Sequence, residues 1–194
     1  MPEAGVCALV LAAGLGRRYR AESGEDKLLA PCDPGAASPA VLQRTLAALS
    51  GVAERVVVVI RREHPRLADA VAAWQPEAQR LLIDTDGLGT SLARAVAASP
   101  VSRGWLVTLG DMPYVRPDTY ACLAAALDRR GLILPTYDGQ PGHPRCIGAD
   151  HADALLRLTG DRGAQALFAG ATVQRLAVDD PGILKDIDRP GDRC

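Results

Sequence analysis

Lysine is nearly missing from this chain of 194 residues: of its 22 basic residues only Lys27 and Lys185 are lysines, so each needs its own account. An excess of either charge is missing as well. With 23 acidic residues the formal net charge is -1, and no bulk field draws the protein toward nucleic acid or an anionic bilayer; neither is an expected partner. A local anion site is still compatible with this balance. No apolar run approaches the roughly 20 residues that span a bilayer. The start MPEAG places no basic residue ahead of the apolar run VCALVLAA, so a secretion signal is not expected. The cysteines, Cys7, Cys32, Cys122, Cys146 and Cys194, are odd in number and form no CxxC pair. A disulfide framework or zinc site is therefore not expected, and a reducing cytoplasm is. Cys7 and Cys122 read as packing residues, and Cys32, Cys146 and Cys194 as the more accessible thiols.

Several motifs are absent too. Arg17, Arg18 and Tyr19 follow Gly16 where a dinucleotide fingerprint needs its third glycine, and no GxxxxGK[ST] loop occurs. No serine sits in a G-x-S-x-G elbow, which argues against an α/β hydrolase.

What is present is a hydrophobic fraction of 48% against 23% charged residues, enough for a sizeable buried core. Short apolar runs alternate with helical patterns, the signature of a mostly parallel sheet covered on both faces. Strands are predicted at Val6 to Leu11, Arg55 to Ile60, Arg80 to Ile83, Trp105 to Leu109, Leu132 to Thr136 and Val173 to Val178. Helices are predicted where Val41, Thr45 and Leu49, then Leu67 and Val71, then Leu88, Leu92 and Val96 recur at helical spacing. Others are expected from Pro117 to Arg129, Ala152 to Leu158 and Gly163 to Ala169. The stretch Cys32 to Ala40 reads as a loop, and nothing marks a boundary between two domains. Ligands of open α/β sheets bind beyond the carboxyl ends of the strands, so the residues after Leu11, Ile83, Leu109 and Thr136 carry the interest.

After Leu11, the small residues Ala12, Ala13, Gly14 and Gly16 let a loop approach phosphate oxygens with its backbone N–H groups. Arg17 and Arg18 add charged donors, and Lys27 supplies a mobile cation. Asp111, between Gly110 and a Met-Pro turn, can aim its carboxylate into the same crevice and bind Mg2+. In an extended tail, Asp186 and Asp188 would share one face while Ile187 packs on the other. Gly87 and Gly89 could lie against a ligand, with a helix starting near Thr90 or Ser91. In YDGQPGHP, His143 could contact a base or acceptor; His64 and His151 read as peripheral.

LAAGLGRR with Lys27, GDMP, the GHP of Gly142 to Pro144, GDRGA and DIDRPGD resemble, in order, the motifs of the MobA/MocA-like NTP-transferase family. They are most similar to those of its molybdenum cofactor cytidylyltransferase branch, and AAG at Ala12 to Gly14 looks more like the cytidylyl than the guanylyl pattern. The resemblance implies a single-domain, Rossmann-like three-layer α/β fold with a mostly parallel mixed sheet of about seven strands. It implies CTP phosphates on Gly14, Gly16 and Arg17, with Lys27 stabilising their charge, and Mg2+ on Asp111 with Asp188, Asp186 in reserve. Gly142, His143 and Pro144 would face the acceptor. The implied reaction joins CMP to molybdenum-molybdopterin and releases pyrophosphate, in a monomer or weak dimer making transient contact with a molybdoenzyme. Guanylyl or other nucleotidyl transfer, and a non-catalytic nucleotide-binding accessory protein, are the alternative readings.

Overall fold

The computed structural model describes residues 5–33 and 37–193. Its strands are β1 (Val6–Leu11), β2 (Arg55–Arg61), β3 (Gln79–Ile83), β4 (Gly104–Leu109), β5 (Leu132–Tyr137), β6 (Gln140–Pro141), β7 (Arg145–Gly148) and β8 (Gln174–Ala177). The helices are α1 (Arg17–Ser23), α2 (Val41–Ala48), α3 (Pro65–Trp74), α4 (Leu88–Ala98), α5 (Pro117–Ala126), α6 (Ala152–Leu156) and α7 (Gln165–Ala169). The eight strands pair into one mixed sheet of order β3-β2-β1-β4-β7-β5-β6, with β8 also on β5. β3, β2, β1 and β4 run parallel, whereas β7 runs antiparallel to both β4 and β5.

Period-two alternation explains the three layers. Along β1, Ala8 and Val10 enter one buried cluster with Leu42 and Leu46 of α2, Leu67 of α3 and Leu123 of α5. Cys7, Leu9 and Leu11 enter the other, with Leu92 and Val96 of α4 and Leu155 of α6. Both faces being covered, all six residues of β1 are buried, which is why a central parallel strand reads as a continuous apolar run.

Three expectations are corrected. β6 falls within YDGQPGHP, which reads as a glycine-rich loop, and β7, a four-residue strand whose first residue is an arginine, follows it where no strand is predicted. α4 begins at Leu88, ahead of Thr90, because Thr85 Oγ1 accepts the Gly87 N–H at 3.2 Å and closes the preceding turn. Cys122 is exposed on α5 while Cys32 and Cys146 are buried, the reverse of their expected accessibilities; Cys194, with residues 34–36 of the predicted loop, lies outside the described residues. Among the described residues no helix is long and apolar enough to cross a membrane.

Candidate active site

Strand register brings the first two motifs together. Leu11 pairs with Leu109 at the carboxyl ends of β1 and β4, and Gly110 N–H donates to the Leu11 carbonyl at 3.0 Å. The glycine loop and the Asp111 turn therefore leave the sheet side by side. Gly16 has φ +55°, a left-handed conformation that glycine adopts without strain, and it turns the chain into α1. At Gly14 an added Cβ would meet nothing within 4 Å, so no packing inside the protein requires glycine there.

Lys27 reaches into this corner. Its Nζ lies 2.5 Å from Asp111 Oδ2 and 3.6 Å from Asp188 Oδ1, and its side chain is 10% exposed. A turn built on Asp26 holds the lysine: Asp26 accepts the Leu28 N–H at 3.0 Å and meets His64 Nε2 at 2.8 Å. His64 is thus not peripheral as its sequence context suggests; it lines a small cavity of about 50 Å³ with Lys27 and Asp111. The tail is fastened to the same place by the Ile187 N–H, which donates to the Asp111 carbonyl at 2.9 Å. Ile187 is buried, Asp186 is exposed and Asp188 half-buried, paired through Oδ2 with Arg18 at 2.7 Å.

Asp111 is the strained member of this group electrostatically. Burial raises its carboxyl above the ordinary range, Lys27 opposes the rise, and the nearby charge of Asp186 adds to it. Its Oδ1 is buried with no hydrogen-bond partner. An orphaned carboxylate oxygen beside further carboxylates is a donor set suited to a hard divalent cation such as Mg2+ or Mn2+. Among the described residues no group of three or more His, Cys, Asp or Glu forms a complete cage.

A cavity of about 430 Å³ opens from this corner, lined by Ala13, Gly14, Arg17, Arg61, Gly87, Ser91 and Asp111 among others. Its size is that of a small-molecule site. Arg17 is exposed on its wall. Arg61, which no sequence motif singles out, donates from Nε to the Ala13 carbonyl at 2.8 Å and from Nη1 to the Thr85 carbonyl at 2.9 Å. It ties the glycine loop to the loop after β3, and only the pairing of β1 with β2 reveals that role.

Other predicted residues are placed differently. Ala12 is buried and lines the small cavity. Ser91 Oγ, buried, donates to the Gly87 carbonyl at 2.9 Å and lies 2.9 Å from Thr85 Oγ1, so its hydroxyl is engaged within the fold. Gly89 is turned away from the cavity: its N–H donates to the Gly160 carbonyl at 2.7 Å, and a Cβ would come 2.4 Å from the Arg162 carbonyl oxygen. Gly142 is likewise a packing glycine, a Cβ there falling 2.3 Å from the Ile183 carbonyl oxygen. Pro144 is buried. Of the GHP residues, His143 lines a further cavity.

That third cavity, about 190 Å³, adjoins the one of about 430 Å³ and shares Leu11, Leu88, Leu109 and Asp161 with it. Burial pulls the His143 imidazole down to about 4, the neighbouring Arg145 charge adds to this, and the Val107 carbonyl partly offsets it. His143 is therefore uncharged at neutral pH. Arg145, absent from every sequence motif, lines the same cavity.

An open, mixed α/β sheet carries a glycine loop, a lysine and a strand-end aspartate at its carboxyl edge, where such sheets bind ligands, and the architecture matches that of nucleotidyltransferases such as Mth528, with which it superposes at a TM-score of 0.78 and 25% identity. The family model of the MobA-like NTP transferase domain matches residues 8–177, and the chain belongs to that family. It is 33% identical over 166 residues to the bifunctional protein GlmU of Rhodopseudomonas palustris, covering 82% of this chain and 35% of that protein. The chain thus spans about a third of the length of that relative. It is 34% identical over 107 residues to the molybdenum cofactor cytidylyltransferase of Escherichia coli K12, covering 55% of this chain and 54% of that one. The solved structure of Rv0371C from Mycobacterium tuberculosis H37Rv in complex with manganese superposes with a TM-score of 0.74 at 25% identity, covering 98% of this chain and 96% of that chain.

Proposed function

We propose that this protein transfers CMP from CTP to molybdenum-molybdopterin or a close phosphorylated pterin, releasing pyrophosphate. The observation that carries the reading is the Lys27–Asp111 contact beside the open Gly14 loop, with Asp111 Oδ1 left free of any partner. In the reaction an acceptor phosphate oxygen bonds to the α-phosphorus of CTP, and the bond from that phosphorus to the bridging oxygen breaks, pyrophosphate leaving with the electron pair. The N–H groups of the glycine loop and Arg17 hold the triphosphate. Lys27 exchanges its contact with Asp111 for the phosphate oxygens and stabilises the charge that grows on them. Asp111, with Asp188 and with Asp186 in reserve, would hold Mg2+ in this proposal. When bound, the ion neutralises phosphate charge and fixes the α-phosphate for in-line attack. The manganese complex of the Mycobacterium tuberculosis relative supports a divalent cation, and the name of the Escherichia coli relative supports CTP and the molybdenum cofactor.

Pyrophosphate release is the direct assay, run with Mg2+, each nucleoside triphosphate, and molybdenum-molybdopterin present or withheld. Release is expected only with nucleotide and acceptor together, and faster with CTP than GTP. Equal use of GTP would remove the cytidylyl assignment; no release with any nucleotide would remove transfer itself and favour an accessory, nucleotide-binding role.

A further inference from the structure

His64 belongs to none of the motifs that mark the site, yet it lines the small cavity that contains Lys27 and Asp111. Its backbone is fixed where β2 passes into α3. The His64 N–H donates to the Arg61 carbonyl at 3.0 Å, its carbonyl accepts from the Leu67 N–H at 3.2 Å and the Ala68 N–H at 3.3 Å, and Pro65 opens α3 behind it. The imidazole crosses to the turn that carries the lysine, where Nε2 lies 2.8 Å from Asp26 Oδ2. An ionised carboxylate oxygen can only accept, so Nε2 carries the hydrogen. Resting on the transfer reading above, we infer that His64 is a positioning residue for that reaction: through Asp26 it fixes the direction in which the Lys27 ammonium points.

The turn itself shows why such a brace is needed. Residues 24–30 lie between α1 and α2 and belong to neither, so lateral contacts set where Lys27 stands. Asp26 gathers those contacts. Its backbone carbonyl accepts from the Ala30 N–H at 2.9 Å and its Oδ1 from the Leu28 N–H at 3.0 Å, which closes the chain around Lys27. Its Oδ2 meets His64, with the exposed Arg20 guanidinium at 3.3 Å. One carboxylate oxygen thus shapes the turn while the other ties it to the β2–α3 connection.

His64 also removes a competitor. Lysine is a point charge on a flexible four-carbon stem, and Asp26 lines the same cavity of about 50 Å³. Without the imidazole, Asp26 Oδ2 becomes a rival to Asp111 and Asp188, from which Nζ now lies 2.5 Å and 3.6 Å. An ammonium divided among three carboxylates is out of place for part of the time when phosphate arrives. A misplacement of about 1 Å can cost up to about a hundredfold in rate. The His64 and Asp26 side chains are 30% and 20% exposed, and a pair in contact with water adds little to stability. The effect of losing it therefore falls on turnover rather than on folding.

The test uses the full chain with His64→Leu, which cannot donate, and His64→Gln, whose amide can. His64→Leu is expected to lower kcat about tenfold with KM for CTP changed less than about twofold, because Lys27 acts on charge that grows during transfer. His64→Gln should recover most of kcat, and melting curves near wild type show that both variants fold. In a Lys27→Ala background His64→Leu should cost nothing further, since the two changes remove one interaction. Unchanged kcat in His64→Leu, no rescue by glutamine, or an equal loss in the Lys27→Ala background would each overturn the assignment. A second readout needs no substrate. The chain has two lysines, Lys27 and the exposed Lys185, so protein labelled with 15N-lysine resolves the Lys27 ammonium resonance, and Lys185→Arg assigns it. That resonance should broaden or shift in His64→Leu and return in His64→Gln; an unaltered resonance in His64→Leu would overturn the brace. Absence of transfer in the wild type would remove the transfer reading, while the resonance would still decide whether His64 holds Lys27.

Discussion

Two carboxylates at the β4–α5 connection, the half-buried Asp111 within it and the buried Asp180 of the tail bonded to its end, are treated differently by the fold. Asp180, 1% exposed, accepts from the Arg116 N–H at 2.9 Å, the Thr119 hydroxyl at 2.7 Å and the Gly182 N–H at 2.9 Å. Both of its oxygens are satisfied, and it binds the start of α5 to residues 180–182 of the tail. Asp111 has one oxygen on Lys27 and the other on nothing. A carboxylate with both oxygens engaged from within the chain serves stability; one left half-engaged beside an open cavity is held at a cost and is available to a ligand. The contrast separates a joint from a site without reference to any motif.

The largest effect that sharpens this contrast belongs to Asp111→Asn. Turnover is expected to fall by about a hundredfold or more, comparable to loss of one electrostatic contact to a transition state, while the urea midpoint hardly moves. Steady-state pyrophosphate release and a denaturation curve on the same sample check both halves. Asp180→Ala should do the converse. It strands three donors, so stability is expected to drop by about 3 kcal/mol while kcat per folded molecule stays close to wild type. If the two variants behaved alike, the division between joint and site would be broken.

A smaller effect is expected of Lys27→Ala, which removes the cation from both Asp111 and the phosphates. kcat/KM should fall by roughly tenfold to a hundredfold, and Arg should rescue it poorly because a planar fork does not fit where an ammonium reaches. Kinetics equal to wild type would leave Lys27 only its structural pairing with Asp111. The smallest effect concerns pH and His143. Its folded value of about 4 lies below the unfolded 6.5, so between these values the unfolded chain binds more protons. Stability then rises with pH through that window and is lost as pH falls from 6.5 toward 4. His143→Gln should flatten this part of the Tm-against-pH curve; an unchanged slope would mean that the imidazole is protonated freely in the folded protein.

The central strands were legible because burial on both faces leaves an unbroken apolar run, as in β1 and β4, and their register alone then juxtaposes Gly14 with Asp111. β7 was not, since RCIG is short and opens with arginine and follows a proline; pairing with β4 on one side and β5 on the other makes it a strand. The same limit applies to the site. Lys27 stood out through the scarcity of lysine, but Arg61, His64 and Arg145 owe their positions to partners 20 or more residues away in sequence, and no local pattern announces them. Glycines were ambiguous for a related reason: Gly14 and Gly142 look alike in a motif, yet one faces open space and the other the Ile183 backbone.

The reversed strand β7 changes what the active edge of the sheet can offer. An all-parallel sheet presents only strand exits at that edge. Here Arg145 lies opposite Val107 in antiparallel register, so an entrance stands between the exits of β4 and β5, and the residues leading into β7 serve the crevice. Because neighbouring strands lie roughly 4.8 Å apart, the insertion also spaces the two exits by about 10 Å. The rim thereby becomes wide enough for two groups to lie abreast, one over β1 and β4 and one over β7.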